Sequence, residues 1–237
     1  MSALLLIALA VPAAAQDAQP SFFNQTKARQ ALIVDGETRA VLLEKNADIA
    51  FGPASLAKLM TMEIVFDALK RGELSLTDSF TVSEHAWRTG GAPSRTSTMF
   101  AAVKSSVTVD ALLQGAIVQA ANDACIVLAE GMAGSEDAFA QRMNRRAAEI
   151  GLTGSHFVNP TGLPAEGQSV TARDLVTLAR HIETTYPEYY RLYSQPEFEW
   201  NKILQRNRNP LLRLDIGATG MGTGCLLYTS DAADDMQ

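Results

Sequence analysis

The chain has 237 residues, 47% of them hydrophobic and 19% charged, with a formal net charge of −6 and a pI near 5.1. This suffices for one core-forming domain with part of a second, and the acidic balance, with no basic run and no basic-aromatic interleaving, argues against a nucleic-acid partner. Cys125 and Cys225 stand in no Cys-x-x-Cys pattern, and His85, His156 and His181 are scattered, so the pattern implies no disulfide framework, no metal site and no cofactor.

Residues 3–15 form an apolar run ending in Ala13-Ala14-Ala15 before Gln16-Asp17, the pattern of a cleaved secretory signal, although a basic start is missing. The expectation is an exported protein with a leader over residues 1–15. The run is too short for a membrane span, and no later segment approaches about 18 uninterrupted apolar residues. Over residues 28–46 the pattern predicts a hairpin, with strands at 31–34 and 40–43 and Asp35-Gly36 as the turn. Two strands leading into a helix suggest a mixed sheet.

The next stretch, Pro53-Ala54-Ser55-Leu56-Ala57-Lys58-Leu59-Met60, organises the rest of the chain. Residues three apart share a helix face, so Ser55 and Lys58 are predicted to meet as a nucleophile with an amine base beside it. Pro53 opens the helix, and the unpaired first-turn N–H groups offer a place for an oxyanion. Apolar residues at helical spacing through Leu69 bury this helix and leave its first turn at a cleft. Ser-x-x-Lys has only two fixed positions, and about one match by chance is expected at this length; this is the only match in the chain, and it follows two strands and a proline start.

Residues 72–83 read as a loop, a short strand and a turn, and the Gly/Ser/Thr-rich stretch 89–98 reads either as a mobile loop over a cleft or as a plain surface loop. Helices follow. Thr108 caps one over 109–121, Asp123 opens an apolar segment ending at Gly131, Ser135 starts one over 138–150 that Gly151 stops, and 171–185 is another with Leu175, Leu178 and Ile182 as its stripe. Residues 159–164, Asn-Pro-Thr-Gly-Leu-Pro, require a structured loop. The fold class is α/β, a single domain with a helical insert between strands.

Ser55-Leu56-Ala57-Lys58, then Ala120-Ala121-Asn122, then Gly222-Thr223-Gly224 resemble, in order and spacing, the Ser-x-x-Lys, Ser-x-Asn and Lys-Thr-Gly motifs of penicillin-interacting serine enzymes. Thr161-Gly162-Leu163, Thr171-Ala172-Arg173-Asp174 and Asn207-Arg208-Asn209-Pro210-Leu211-Leu212 extend the likeness to serine-type D-alanyl-D-alanine carboxypeptidases over about residues 28–224. The resemblance implies a penicillin-binding protein/β-lactamase-like fold: an antiparallel sheet flanked by helices, with an all-helical subdomain. Here the sheet would be incomplete, holding the hairpin and at most a strand ending at Gly224, in a C-terminally truncated catalytic domain over 16–224. It also implies a periplasmic enzyme whose partners are peptidoglycan stem peptides, with β-lactams as inhibitors. Contact with the inner membrane would come only through a C-terminal anchor that this chain lacks.

By the same resemblance Ser55 is the acylated nucleophile, Lys58 its base, Asn122 the holder of the substrate amide and Thr223, at a strand edge, the partner of the terminal carboxylate. The N–H groups of Ser55 and of the residue after Gly224 would form the oxyanion hole. On local sequence alone Asn122 reads nearly as well as a helix N-cap. Two departures stand out: Ala120 lacks the hydroxyl of the second motif, and Gly222 stands where a lysine would bind the carboxylate and keep Lys58 neutral. Each loss is expected to lower the rate by about two to four powers of ten.

Residues 225–237 begin with a stretch that resembles the translation of a transposase sequencing adaptor, which suggests that the native reading frame stops near Gly224. Two rivals remain open. A class A-like serine β-lactamase would need a loop glutamate, and the only Glu-x-x-x-Asn match, Glu197 to Asn201, lies in a strand-like segment. A non-catalytic peptidoglycan-binding protein would be consistent with Ala120 and Gly222.

Overall fold

The computed structural model describes residues 26–224, so the leader and the tail predicted for 1–15 and 225–237 lie outside the described residues. The elements in chain order are β1 (Ala31–Val34), β2 (Val41–Lys45), α1 (Lys58–Lys70), β3 (Ser79–Thr81), α2 (Glu84–Thr89), β4 (Ser106–Thr108), α3 (Val109–Val118), α4 (Asn122–Ala133), α5 (Glu136–Glu149), α6 (Ala172–Thr185), α7 (Pro187–Tyr190), β5 (Glu197–Trp200) and β6 (Ile203–Arg206). Helices α1 and α4 form the centre. Nearly every side chain of α1 from Lys58 to Leu69 is buried, as is every one of α4 from Asn122 to Ala129, the pattern of a helix surrounded by other elements. Around them pack α3, α5 and α6, with Phe66, Leu112, Leu113, Ile126, Leu128, Phe139 and Met143 in the shared core.

Among the described residues the strands form three separate antiparallel pairs, β1 with β2, β3 with β4 and β5 with β6, rather than one continuous sheet. Residues 217–224 carry no strand, so Thr223 does not sit at a strand edge as the sequence suggests. A strand exists only against a neighbour, and none of the described residues pairs with this segment. The β1–β2 connection is also longer than the two-residue Asp-Gly turn read from the sequence. Asp35 N–H donates to Ala40 O at 2.9 Å, and the Asp35 carboxylate accepts from the N–H and hydroxyl of Thr38 at 2.7 and 2.6 Å, which closes a loop over 35–40.

Side-chain caps start four helices. Ser83, Thr108, Ser135 and Thr171 each accept the N–H three residues on, which satisfies one of the unpaired donors of the first turn. Thr108 also ends β4, so one residue closes a strand and opens α3. Helix α3 stops at Val118, three residues short of the expected end, because Ala120 turns left-handed at φ 54°. Helix α4 in turn passes through Gly131 and ends at Gly134, which adopts φ 82°. Gly131 is there for packing, since any Cβ at that position would enter the ring of Phe80 from β3.

Candidate active site

Ser55 lies in a 3₁₀ turn, Ala54–Ala57, that runs directly into α1. In a 3₁₀ turn residues three apart eclipse, so Ser55 and Lys58 align more closely than in an α-helix. Lys58 Nζ lies 3.2 Å from Ser55 Oγ and donates to Thr161 O at 2.6 Å. The lysine is 5% exposed. Burial, helped by the charge of Arg208, brings its pKa down to about 8, where a useful fraction of the amine is neutral near pH 7. Burial alone thus does most of what the sequence reading assigned to a lysine at position 222.

The Thr161 carbonyl is held by its own loop. Asn159 Oδ1 accepts from the N–H and hydroxyl of Thr161 and from Gly162 N–H at 3.2, 2.9 and 2.8 Å, and Thr61 of α1 donates to Pro160 O at 2.7 Å. Gly162, at φ 80°, lies against the carbonyl of Ala54, the residue before the nucleophile, with no room for a Cβ. Ala54 is itself left-handed at φ 46°. The loop therefore sets both the lysine and the backbone that presents Ser55.

Asn122 is the first residue of α4, with Ala121 in the cap position, so its side chain is not the N-cap that local sequence allowed. Its Nδ2 donates to Thr96 Oγ1 at 2.9 Å and its N–H to Ser97 O at 2.8 Å, while Oδ1 is buried with no hydrogen-bond partner among the described residues. Next to it Asp123 is fully buried, and its carboxylate accepts from Thr98 Oγ1 and from the N–H groups of Met99 and Ala101 at 2.7, 2.9 and 3.0 Å. This cross-brace fixes the 96–101 segment on the start of α4; burial raises the Asp123 pKa against the pull of those hydrogen bonds.

Ser55 stands at the junction of two depressions. A small cavity holds Ser55, Lys58, Ala120, Arg208, Gly222 and Thr223. A larger groove of about 630 Å³ holds Ser55, Asn122, Thr96, Gly162 and Arg208. All five residues singled out in the sequence, Ser55, Lys58, Asn122, Gly222 and Thr223, thus line one or the other, although Asn122 and Thr223 line different ones. Sequence reasoning missed Arg208 and Thr161 as site residues; both lie in stretches that carried the family resemblance, and the polar density of Asn207-Arg208-Asn209 was the available signal. Glu197 lines neither depression, and Cys125, its pKa pushed up to about 12 by burial, is an inert thiol.

The remaining alternatives are occupied elsewhere. His85 pairs with Glu136 and His181 with Glu63, and His156 is held by backbone pairing to Ser169. Among the described residues no group of three or more histidine, cysteine or acidic side chains is arranged to hold a metal ion, and no helix is long and apolar enough to cross a membrane.

A family model described as D-alanyl-D-alanine carboxypeptidase matches residues 13–236. The chain is 43% identical over 199 residues to the D-alanyl-D-alanine carboxypeptidase DacC of Escherichia coli K12, a match covering 83% of this chain and 50% of that protein. The fold matches the crystal structure of D-alanyl-D-alanine carboxypeptidase DacD from Francisella tularensis with a TM-score of 0.81 at 31% identity, covering 85% of this chain and 60% of that one. It also matches penicillin-binding protein D2 from Listeria monocytogenes in its ampicillin-bound form, with a TM-score of 0.69 at 28% identity, covering 84% and 79%. The chain spans about half the length of the curated relatives it matches. With the serine–lysine pair, the asparagine of the second motif and the fold all in register, the chain belongs to the peptidase S11 family of D-alanyl-D-alanine carboxypeptidases.

Proposed function

We propose that this chain carries the acyl-transfer centre of a serine D-alanyl-D-alanine carboxypeptidase acting on peptidoglycan stem peptides. Ser55 Oγ attacks the carbonyl of the penultimate D-alanine, and neutral Lys58 takes the hydroxyl proton and passes it to the departing amine. The bond to the terminal D-alanine breaks, leaving an ester on Ser55 that water hydrolyses. Asn122 Oδ1, buried and without a partner among the described residues, is suited to accept the N–H of the substrate amide. Ser55 N–H is one oxyanion donor; the other, after Gly224, lies outside the described residues. Thr223, which lines the small cavity with Ser55, is suited to hydrogen-bond the terminal carboxylate. The observation that carries the reading is the buried Lys58 held 3.2 Å from Ser55 with its pKa brought down to about 8.

Export is part of the proposal. The apolar 3–15 segment supports a cleaved leader, a periplasmic location and a catalytic domain beginning near residue 16. β-Lactams are proposed as inhibitors acylating Ser55, in keeping with the ampicillin-bound relative. Ala120 and Gly222 reduce the rate below that of a chain with serine and lysine there.

The test uses labelled penicillin and diacetyl-L-lysyl-D-alanyl-D-alanine. The expected result is a stable adduct mapped to Ser55 and slow release of D-alanine, both abolished in Ser55→Ala and accelerated in Ala120→Ser/Gly222→Lys. Rapid penicillin turnover would instead make the protein a β-lactamase, and the absence of any adduct a binding module.

A further inference from the structure

We propose that the Tyr193 hydroxyl holds a single water molecule in the small cavity beside Ala120, and that this water carries the proton from Lys58 to the departing nitrogen. The inference rests on the acyl-transfer reading and supplies the step that the missing second-motif hydroxyl leaves open.

Tyr193 lies in the turn Arg191–Ser194 between α7 and β5 and lines the cavity with Ser55, Lys58 and Ala120. It is 3% exposed, and its hydroxyl is buried with no hydrogen-bond partner among the described residues. An unpaired buried hydroxyl carries a desolvation cost that a partner in the cavity removes. The residue is fixed in place. Asn207 Nδ2 donates to Tyr193 O at 3.2 Å, and the ring centroid lies 6.1 Å from that of Tyr190. Cys125 bears electrostatically on both Lys58 and Tyr193, in keeping with an amine and a phenol gathered around one thiol.

The cavity measures about 20 Å³. A water needs about 10–15 Å³ of such space and two to four polar partners, so one fits and a larger ligand does not. Ala120 makes the room, since a serine in its place would add an oxygen to the same wall. Apolar cavities stay dry, but this one has an amine and a phenol in its lining. Once Lys58 has taken the Ser55 proton it has three donors. Two serve Thr161 O and Ser55 Oγ, which leaves one for the water. Burial holds the Tyr193 phenol far above its ordinary pKa, so it remains a donor across the working pH range. With Tyr193 and Lys58 both donating to the water oxygen, its two hydrogens turn to the cleft.

The proton balance closes on this arrangement. Ser55 Oγ has bonded to the substrate carbonyl carbon, and its proton is on Lys58. As the bond from that carbon to the terminal D-alanine nitrogen breaks, the water gives a proton to the nitrogen and takes one from the ammonium. Lys58 returns neutral, the water is regenerated and Tyr193 is unchanged, so Tyr193 is a positioning residue.

The experiment compares kcat/KM, which reports acylation, for diacetyl-L-lysyl-D-alanyl-D-alanine and for the corresponding ester ending in D-lactate. A departing alkoxide needs a proton far less than a departing amide nitrogen does. Tyr193→Phe is expected to slow the peptide about tenfold or more and the ester about threefold or less. In Ala120→Ser, whose hydroxyl takes over the task, the same exchange should cost the peptide about threefold or less. Tyr190→Phe is the control: its hydroxyl meets Thr219, outside the cavity, and its loss should leave both rates in place. Since the Tyr193 hydroxyl bonds to none of the described residues, Tyr193→Phe should keep the parent's circular dichroism. A high-resolution crystal structure should show one ordered water within hydrogen-bond reach of Tyr193 Oη and Lys58 Nζ. Equal slowing of peptide and ester, a tenfold loss that persists in Ala120→Ser, or no water at that position overturns the proposal. The Ser55 adduct with penicillin tests the acyl-transfer reading separately. An adduct together with a peptide rate indifferent to Tyr193 overturns the water relay alone, and no adduct overturns both.

Discussion

At the scale of single residues, Lys58 decides the pH behaviour. With a pKa of about 8, roughly one amine in ten is neutral at pH 7, against fewer than one in a thousand at the unperturbed value. Acylation of Ser55 by penicillin is therefore expected to rise with pH along a limb centred near pH 8. Gly222→Lys should move that limb to lower pH, because a second cation further disfavours protonation of Lys58. Among the described residues a Cβ at position 222 meets only Leu59 Cδ2, at an ordinary 3.7 Å. The check is a pair of acylation-rate profiles over the range where both proteins stay folded. Coincident limbs would mean that burial and Arg208 already set the lysine and that position 222 has no part in it.

At the scale of elements, the loop 159–164 matters more than any helix for holding the site, because it supplies the Lys58 acceptor and supports Ala54. Gly162→Ala would force a left-handed alanine against the Ala54 carbonyl, at a cost of about 1–3 kcal/mol in backbone strain and displacement. The expected outcome is a small fall in urea midpoint with a fall in acylation rate of about tenfold or more, as the nucleophile shifts by a fraction of an ångström. An acylation rate equal to the parent's would remove the loop from the positioning role. This loop was legible in the sequence as a structured turn, and the caps at Ser135 and Thr171 as helix starts, because each is a local signal read by the backbone within three residues. Helix α2 was not, since six residues in a polar segment show no apolar period and only the Ser83 cap marks them. Gly131 misled because its glycine answers to Phe80, some fifty residues away. Ala120 gave no sign of its left-handed turn, which is fixed by the packing of α3 against α4. Of the site, Ser55 and Lys58 were readable from their spacing together with the proline start and the two preceding strands; Arg208 was not, because its proximity exists only after β6 has brought it back to the end of α3.

For the whole molecule, the core is pinned by a buried carboxylate. Glu63, on the central α1, is fully buried, and its Oε1 accepts from Arg146 of α5 at 2.9 Å and from the Tyr186 hydroxyl at 3.1 Å, with His181 of α6 at 3.2 Å. Three helical layers thus converge on one oxygen. Arg146→Met is expected to destabilise the fold by roughly 3 kcal/mol, because the carboxylate stays buried after its main counter-charge has gone. Loss of the exposed Arg173, which pairs with Glu44 and Asp48 in solvent, should cost much less. Urea unfolding of both variants gives the comparison, and equal midpoints would show that the Glu63 cluster is not the tie. The contact between Lys58 and Thr161 has a consequence of another kind, for it joins residues 103 apart in the chain. Closing a loop of that size is slow compared with forming any one helix, so the serine and lysine, neighbours on one turn, acquire the Thr161 acceptor later than they acquire each other. During synthesis or refolding the nucleophile therefore stays without its buried, oriented base until residues 159–164 have docked on the start of α1, and chemical competence reports that docking.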